Sequence, residues 1–299
     1  MLHFSVAVAC PGQVSYSEVE IDVVLIMAPL RLSLLGSPQI TLNDRAVRLR
    51  NKAQAVLFYV AVEGRQSRRV IAGNLWSERH TDQTALDRLR GEVHALRQAL
   101  PQPVLAIDSE MIGLNEAAFI TDLASFYAAW GAPDASLETY AEALALYRGP
   151  LLEGFELELK DAGGYVDWLL ELRGAVEQRW LQLLHRTAER CLEQRRRLDL
   201  GIDCCQRLLA VHLDDEETHR LLMQLLAAGG QTSAALRQFQ ECVRALRELQ
   251  ASEPSAATVQ LYEQIQQQLY GKEPREQRAP FLAPRAPEHF AGREILLQQ

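Results

Sequence analysis

Short β-type runs open the patterned part of the chain. Leu30–Leu35 and Gln39–Leu42 are split by Gly36-Ser37-Pro38, and the turn residues Asn43-Asp44 lead to a third run, Ala46–Leu49. Helical spacing then takes over: Ala53, Val56, Leu57, Val60 and Ala61 share a face that ends at Gly64. A second helix is predicted over Arg69–Trp76, with Ile71, Leu75 and Trp76 inward. The third, from about Thr81 to Leu100, carries Leu86, Leu89, Val93, Leu96 and Leu100 as one apolar stripe and stops at Pro101. Val104–Ile107, the turn Asp108–Glu110 and Met111–Leu114 read as a β-hairpin. Strands, three helices and a closing hairpin predict a winged helix-turn-helix, whose third helix enters a major groove while the hairpin reaches the flanking backbone.

Beyond residue 121 the pattern is helical throughout. Helices are predicted over Asp122–Trp130 and Ala135–Tyr147, followed by a Gly/Pro-marked break, Tyr147–Phe155. A long helix from about Gly164 to Gln194 carries Trp168, Leu169, Leu172, Val176, Trp180, Leu183, Leu184 and Ala188. Further helices fit 198–211, 215–228, 231–248 and 256–270. At an offset of 34, Gly201 aligns with Ala235, Cys205 with Phe239 and Leu209 with Val243, the small-and-large alternation of a tetratricopeptide-type array. The expected fold is therefore mainly α: a winged helix-turn-helix (α+β) domain, then an all-α tetratricopeptide-like array.

Charge changes this picture only when split by position. The 299 residues carry a net charge of −8, which taken whole argues against a nucleic-acid partner. Yet the window 45–97 holds 11 basic and 5 acidic side chains, whereas 121–270 holds 14 and 23. A basic territory precedes an acidic one, and each is judged separately. The domains read as 1–26, an extension; 27–120, the winged helix; 121–270, the helical array; and 271–299, a linker and tail. Residues 1–26 lack the basic start and apolar run of a secretory signal. They are either an extension ahead of the native start or carry an extra edge strand at Val19–Ile26. No stretch reaches the ~18 apolar residues of a membrane span. The five cysteines are odd in number and lack CxxC spacing. A cytoplasmic protein with reduced thiols and no membrane contact is expected.

Candidate chemistry is confined to the basic territory. Off the stripe of the third helix lie Arg88, Arg90, Gly91, His94, Ala95, Arg97 and Gln98. Arg50, Lys52, Arg68 and Arg69 stand near helix starts, where side chains and backbone N–H groups meet phosphates. The DNA-binding candidates are thus Arg50, Lys52, Arg68, Arg69, Arg88, Arg90, His94 and Arg97, although a merely solvated helix face would show the same arginines. HExxH, GxSxG and Walker motifs are missing and the seven histidines are scattered, so no enzyme, cofactor or metal is expected. In the array, Trp, Leu and Tyr read as core, Cys204-Cys205 as helix packing and Arg195–Arg197 as a helix C-terminus.

Two sets of residues carry a family resemblance. LRLSLLGSPQITLNDRAVRLRNKAQAVLFYVAVEGR, then NLW and LRQALP, resembles the DNA-binding domain of SARP-type bacterial regulators, an OmpR-like winged helix followed by a bacterial transcriptional activator domain. YRGPLLEGF and ALRQFQECVRALRELQASEPSAATVQLYEQI resemble that activator domain; Glu253–Glu263 is the most specific stretch, with Ser255 read as the N-cap of the last helix. The resemblance implies a transcriptional activator that binds direct repeats of double-stranded DNA side by side as a homodimer and recruits RNA polymerase. Gly91, Glu92 and Ala95 depart from the polar or basic residues usual on the recognition helix, and Asp87 and Glu92 would repel phosphates they faced. The alternative is a protein-interaction or sensor module whose winged helix no longer reads DNA. His289–Leu297 (HFAGREILL) resembles the opening of a signal-transduction ATPase domain, without any GxxxxGK[ST] loop. The chain is then the amino-terminal part of a longer regulator, or the match is fortuitous.

Overall fold

A computed structural model describes residues 29–76, 82–101, 104–158, 162–249 and 252–270. The expectations for Val19–Ile26, the linker and His289–Leu297 lie outside the described residues. The chain divides into two compact units, one of residues up to 131 with 146–177, the other of 132–145 with 178 onward.

In the first unit, β1 (Leu30–Ser33) buries Leu30 and Leu32 and turns Arg31 outward, the period of a half-buried strand. It pairs antiparallel with β2 (Gln39–Leu42), which pairs with β3 (Arg45–Ala46). Asn43 and Asp44 both have positive φ, 51° and 59°, as a two-residue type I′ hairpin loop requires. The third run is shorter than the predicted Ala46–Leu49. Helices α1 (Asn51–Glu63), α2 (Arg68–Trp76) and α3 (Asp82–Ala99) follow, and α1 ends at Gly64 with φ 72°. Ala85, Leu89, Val93, Leu96 and Leu100 fill the inner face of α3; Leu86, expected there, is only half-buried. The hairpin is β5 (Leu105–Ile107) and β6 (Met111–Leu114), joined by β4 (Gln66–Ser67) from the α1–α2 connection to make a sheet ordered β4-β6-β5. Three helices closed by this hairpin have the arrangement of a winged helix-turn-helix.

Two elements of this unit are placed by partners distant in sequence. Strand β7 (Phe119–Thr121) lies parallel to β1, completing the order β3-β2-β1-β7, and leads into α4 (Asp122–Trp130), capped by Thr121 Oγ1. The Asp122 carboxylate accepts from Leu34 N–H (2.7 Å), Leu35 N–H (3.2 Å) and Arg148 (2.9 Å). The Gly/Pro-marked break at 147–155 is a strap across the β1–β2 turn. Gly36 N–H donates to the Pro150 carbonyl (3.1 Å), Leu152 N–H to Leu34 (2.8 Å) and Glu153 N–H to Gly36 (3.0 Å). A Cβ on Gly36, at φ 105°, would lie 3.2 Å from Arg148 Cβ, so the turn needs glycine for both conformation and clearance. The start of α6 (Gly163–Gln194) adds Tyr165 and Trp168 to an aromatic cluster with Phe58, Tyr59 and Phe155.

The second unit is a succession of packed helices. Besides α5 (Leu137–Leu146) and the end of α6, it holds α7 (Leu198–Val211), α8 (Glu216–Ala228), α9 (Thr232–Leu249) and α10 (Ala256–Tyr270), each packed on the next from α7 to α10. This is the tetratricopeptide-like array that the spacing predicts. α7 and α9 begin 34 residues apart, and the aligned Gly201 and Ala235 are both buried at helix contacts. Phe239 is half-buried and stacks on Tyr262 at 4.3 Å. Cys191, Cys204, Cys205 and Cys242 are free and buried, and burial pushes the first and last thiols up to about 11. The turn after α6 is made by Arg195 and Arg197 in left-handed conformation, the usual way to end a helix. Ser255 stands immediately before α10, its carbonyl accepting from the Thr258 and Val259 N–H groups, and its hydroxyl donates to Glu216. Glu216 Oε1 accepts from Ser255 N–H (2.7 Å), Ser255 Oγ (2.7 Å) and Thr258 Oγ1 (2.5 Å), tying the starts of α8 and α10 together.

Candidate nucleic-acid interface

Between the start of α2, one flank of α3 and the wing turn lies an open concavity of about 890 Å³. Arg68 and Arg69 enter from the first turn of α2, Arg90, His94 and Arg97 from α3, and Ser109 and Glu110 from the wing. The α3 residues are three or four apart, so helical geometry stacks them on one strip. Five of the eight sequence candidates therefore share one surface.

Within it the cations are not equivalent. Arg68 donates through Nε (3.2 Å) and Nη2 (2.8 Å) to the Asp108 carbonyl and so holds the wing turn. Burial and the neighbouring Arg97 push its guanidinium below the usual arginine range, Asp108 opposing and Arg90 adding to the fall. Arg65, which sequence reasoning passed over, pairs with the Asp108 carboxylate. That carboxylate also accepts from Met111 N–H (2.7 Å) and Glu110 N–H (2.8 Å); these bonds, with Arg65, hold it below its ordinary range. Arg69 and Arg97 are exposed, with no ion pair among the described residues. His94 is exposed, with Gln98 Nε2 at 3.0 Å from its Nε2.

The other candidates lie elsewhere. Arg88 is exposed but stands about 200° around the helix from Arg90, on the far flank. Arg50, just ahead of α1, approaches Glu92 (3.6 Å) and the Gly91 carbonyl (3.5 Å). Glu92, only 15% exposed, is thus turned toward Arg50 instead of outward. Lys52 points into the fold: its ammonium donates to the Leu75 carbonyl at 2.6 Å and lies 5.2 Å from the Trp76 ring centre. Leu75 is in the last turn of α2, where carbonyls lack intrahelical partners, so Lys52 caps that helix end. Nothing in the local pattern distinguishes this lysine from a phosphate ligand.

Among the described residues no group of three or more His, Cys, Asp or Glu could hold a metal, and no helix is long and apolar enough to cross a membrane.

Comparison with known proteins bears on both parts of the chain. No curated protein sequence matches it. A solved structure, Mycobacterium tuberculosis EmbR in complex with a low-affinity phosphopeptide, is similar in fold, with a TM-score of 0.58 and 22% identity. The similarity covers 80% of this chain and 65% of that one, so the chain spans less than two thirds of its relative's length. Residues 121–266, which comprise β7's end, α4–α9 and most of α10, match the family described as the bacterial transcriptional activator domain, a regulatory and non-catalytic module.

Proposed function

We propose that the chain is a DNA-binding transcriptional activator in which residues 27–120 dock on promoter DNA and residues 121–270 contact a partner protomer or RNA polymerase. The observation that carries this reading is the basic concavity, where Arg90 and Arg97 from one flank of α3 meet Arg69 from the start of α2 beside a wing braced by Arg65 and Arg68. Guanidinium groups along a groove-sized helix flank suit phosphate and base recognition. The family match of 121–266 supports the activator role. The pairing of Glu92 with Arg50 and of Asp87 with Arg90 supports it too, because both acids that would repel a phosphate already face a guanidinium. The acidic array, with a net charge of −9 over 121–270, disfavours approach of DNA from its own side. We place the protein in the cytoplasm, bound to operators as a homodimer.

The test is a titration of the full chain with fluorescent double-stranded DNA at several salt concentrations. The logarithm of the binding constant is expected to fall linearly with that of salt, and Arg69→Ala or Arg97→Ala each to lower the slope by about 0.9 for one lost phosphate contact. No binding at low salt, or an unchanged slope in the double variant, overturns the reading.

A further inference from the structure

An acid on the exposed face of a DNA-facing helix needs a role that phosphates cannot supply. The inner face of α3 is set by Ala85, Leu89, Val93 and Leu96, and helical geometry puts Asp87 near the middle of the opposite face. Its side chain is 53% exposed. Oδ1 accepts from Arg90 Nη1 at 2.6 Å and from Gln83 Nε2 at 3.3 Å, whereas Oδ2 accepts no hydrogen bond among the described residues.

Arg90, 67% exposed, is thereby held at one nitrogen while the rest of its fork stays open. One turn further along this face comes Gly91. A Cβ there would meet nothing within 4 Å, so neither crowding nor an unusual φ calls for glycine. Glycine in a helix interior costs up to ~1 kcal/mol relative to Ala. What its absent side chain does provide is clearance for an outside surface beside Asp87.

We propose that Asp87 and Arg90 form one base-reading unit. Arg90 donates to O6 and N7 of a guanine, and Asp87 positions that guanidinium while its free oxygen accepts from the N4 amine of a cytosine in the neighbouring base pair. This rests on the DNA-binding reading above. A carboxylate repelled by the strands on either side of a major groove is at home over its floor, where exocyclic amines are the donors. Asp87 is a positioning residue for Arg90 and a specificity determinant in its own right. Gly91 lets the base edges reach both.

The experiment is selection from randomised duplexes by the full chain, followed by binding of the selected site. Arg90→Ala and Asp87→Ala are expected to lose preference at the same guanine, and Asp87→Ala at the adjacent cytosine as well. Affinity for the selected site should fall about 5- to 100-fold, the range for a lost bidentate base contact, with the salt slope unchanged. An Asp87→Ala variant that keeps the parental preference and binds every duplex more tightly would show simple repulsion and overturn the proposal. If the parent chain enriches no sequence at all, the DNA-binding reading falls first and this one with it.

Discussion

Lys52 distinguishes a fold-holding cation from a DNA-binding one, and Lys52→Met tests the difference. Methionine keeps the aliphatic stem against Trp76 and removes only the ammonium. The lost bond, from a charged donor to the Leu75 carbonyl at 2.6 Å, contributes about 1.5–3 kcal/mol. The cation–π contact at 5.2 Å contributes about 0.5–1 kcal/mol at this half-buried site. These terms share one group and do not simply add, so a loss of about 2–3 kcal/mol is expected. For a unit of 150–250 residues that corresponds to a fall in Tm of about 5–10 °C. Thermal unfolding followed by circular dichroism reads the stability, and the salt dependence of DNA binding at a temperature where the variant is folded reads the contact. The slope should match the parent's. A slope reduced by about 0.9 with an unchanged Tm would show that the ammonium meets phosphate, and the inward placement would be refuted.

The same substitution should act in opposite directions at two glycines of the helices. A Cβ at Gly201 would lie 2.9 Å from Leu225 Cδ2 and 3.0 Å from Cys191 Cβ, so Gly201→Ala should lower stability by about 1 kcal/mol, overpacking outweighing the gain in helix propensity. Gly174 has nothing within 4 Å of its Cβ position, and Gly174→Ala should raise stability by up to ~1 kcal/mol; thermal melts giving both the same sign would contradict the packing described. At Glu216, burial alone would raise the carboxyl, but the bonds from Ser255 and Thr258, with Arg220 nearby, hold it below the usual range. A depressed folded value means that its stabilisation is complete above the unfolded value of about 4.3 and is lost as pH falls through the lower folded one. Glu216→Gln should therefore cost about 2 kcal/mol at pH 7 and flatten the acid limb of the stability curve; an unchanged acid limb would show that the clamp carries no charge.

Legibility followed the range of the interactions. Helix ends and turns were readable where a local residue makes them: Gly64, Pro101 and the Asn43-Asp44 hairpin loop all act through their own backbone preferences. Strands β4 and β7 were not readable, because two or three residues carry no period and their pairing depends on partners about 45 and 90 residues away. Leu86 fitted the stripe by spacing, yet it is only half-buried, and Ala85 beside it is buried instead.

The candidate site divides in the same way. Composition and position by themselves determined that a basic territory precedes an acidic one, and that arginines cluster on the third helix. Periodicity determined that this helix is amphipathic and that the later helices recur as pairs. Only the tertiary structure decided which cations face outward. It turned Lys52 to a helix end, drew Glu92 toward Arg50, and brought Arg68 and Arg69 of α2 together with Arg90, His94 and Arg97 of α3 beside the wing. The physical reason is that a charged side chain of four or five rotatable bonds has no preferred partner in its own sequence neighbourhood. Its direction is set by the nearest unpaired carbonyl or carboxylate, and folding brings that group from elsewhere in the chain.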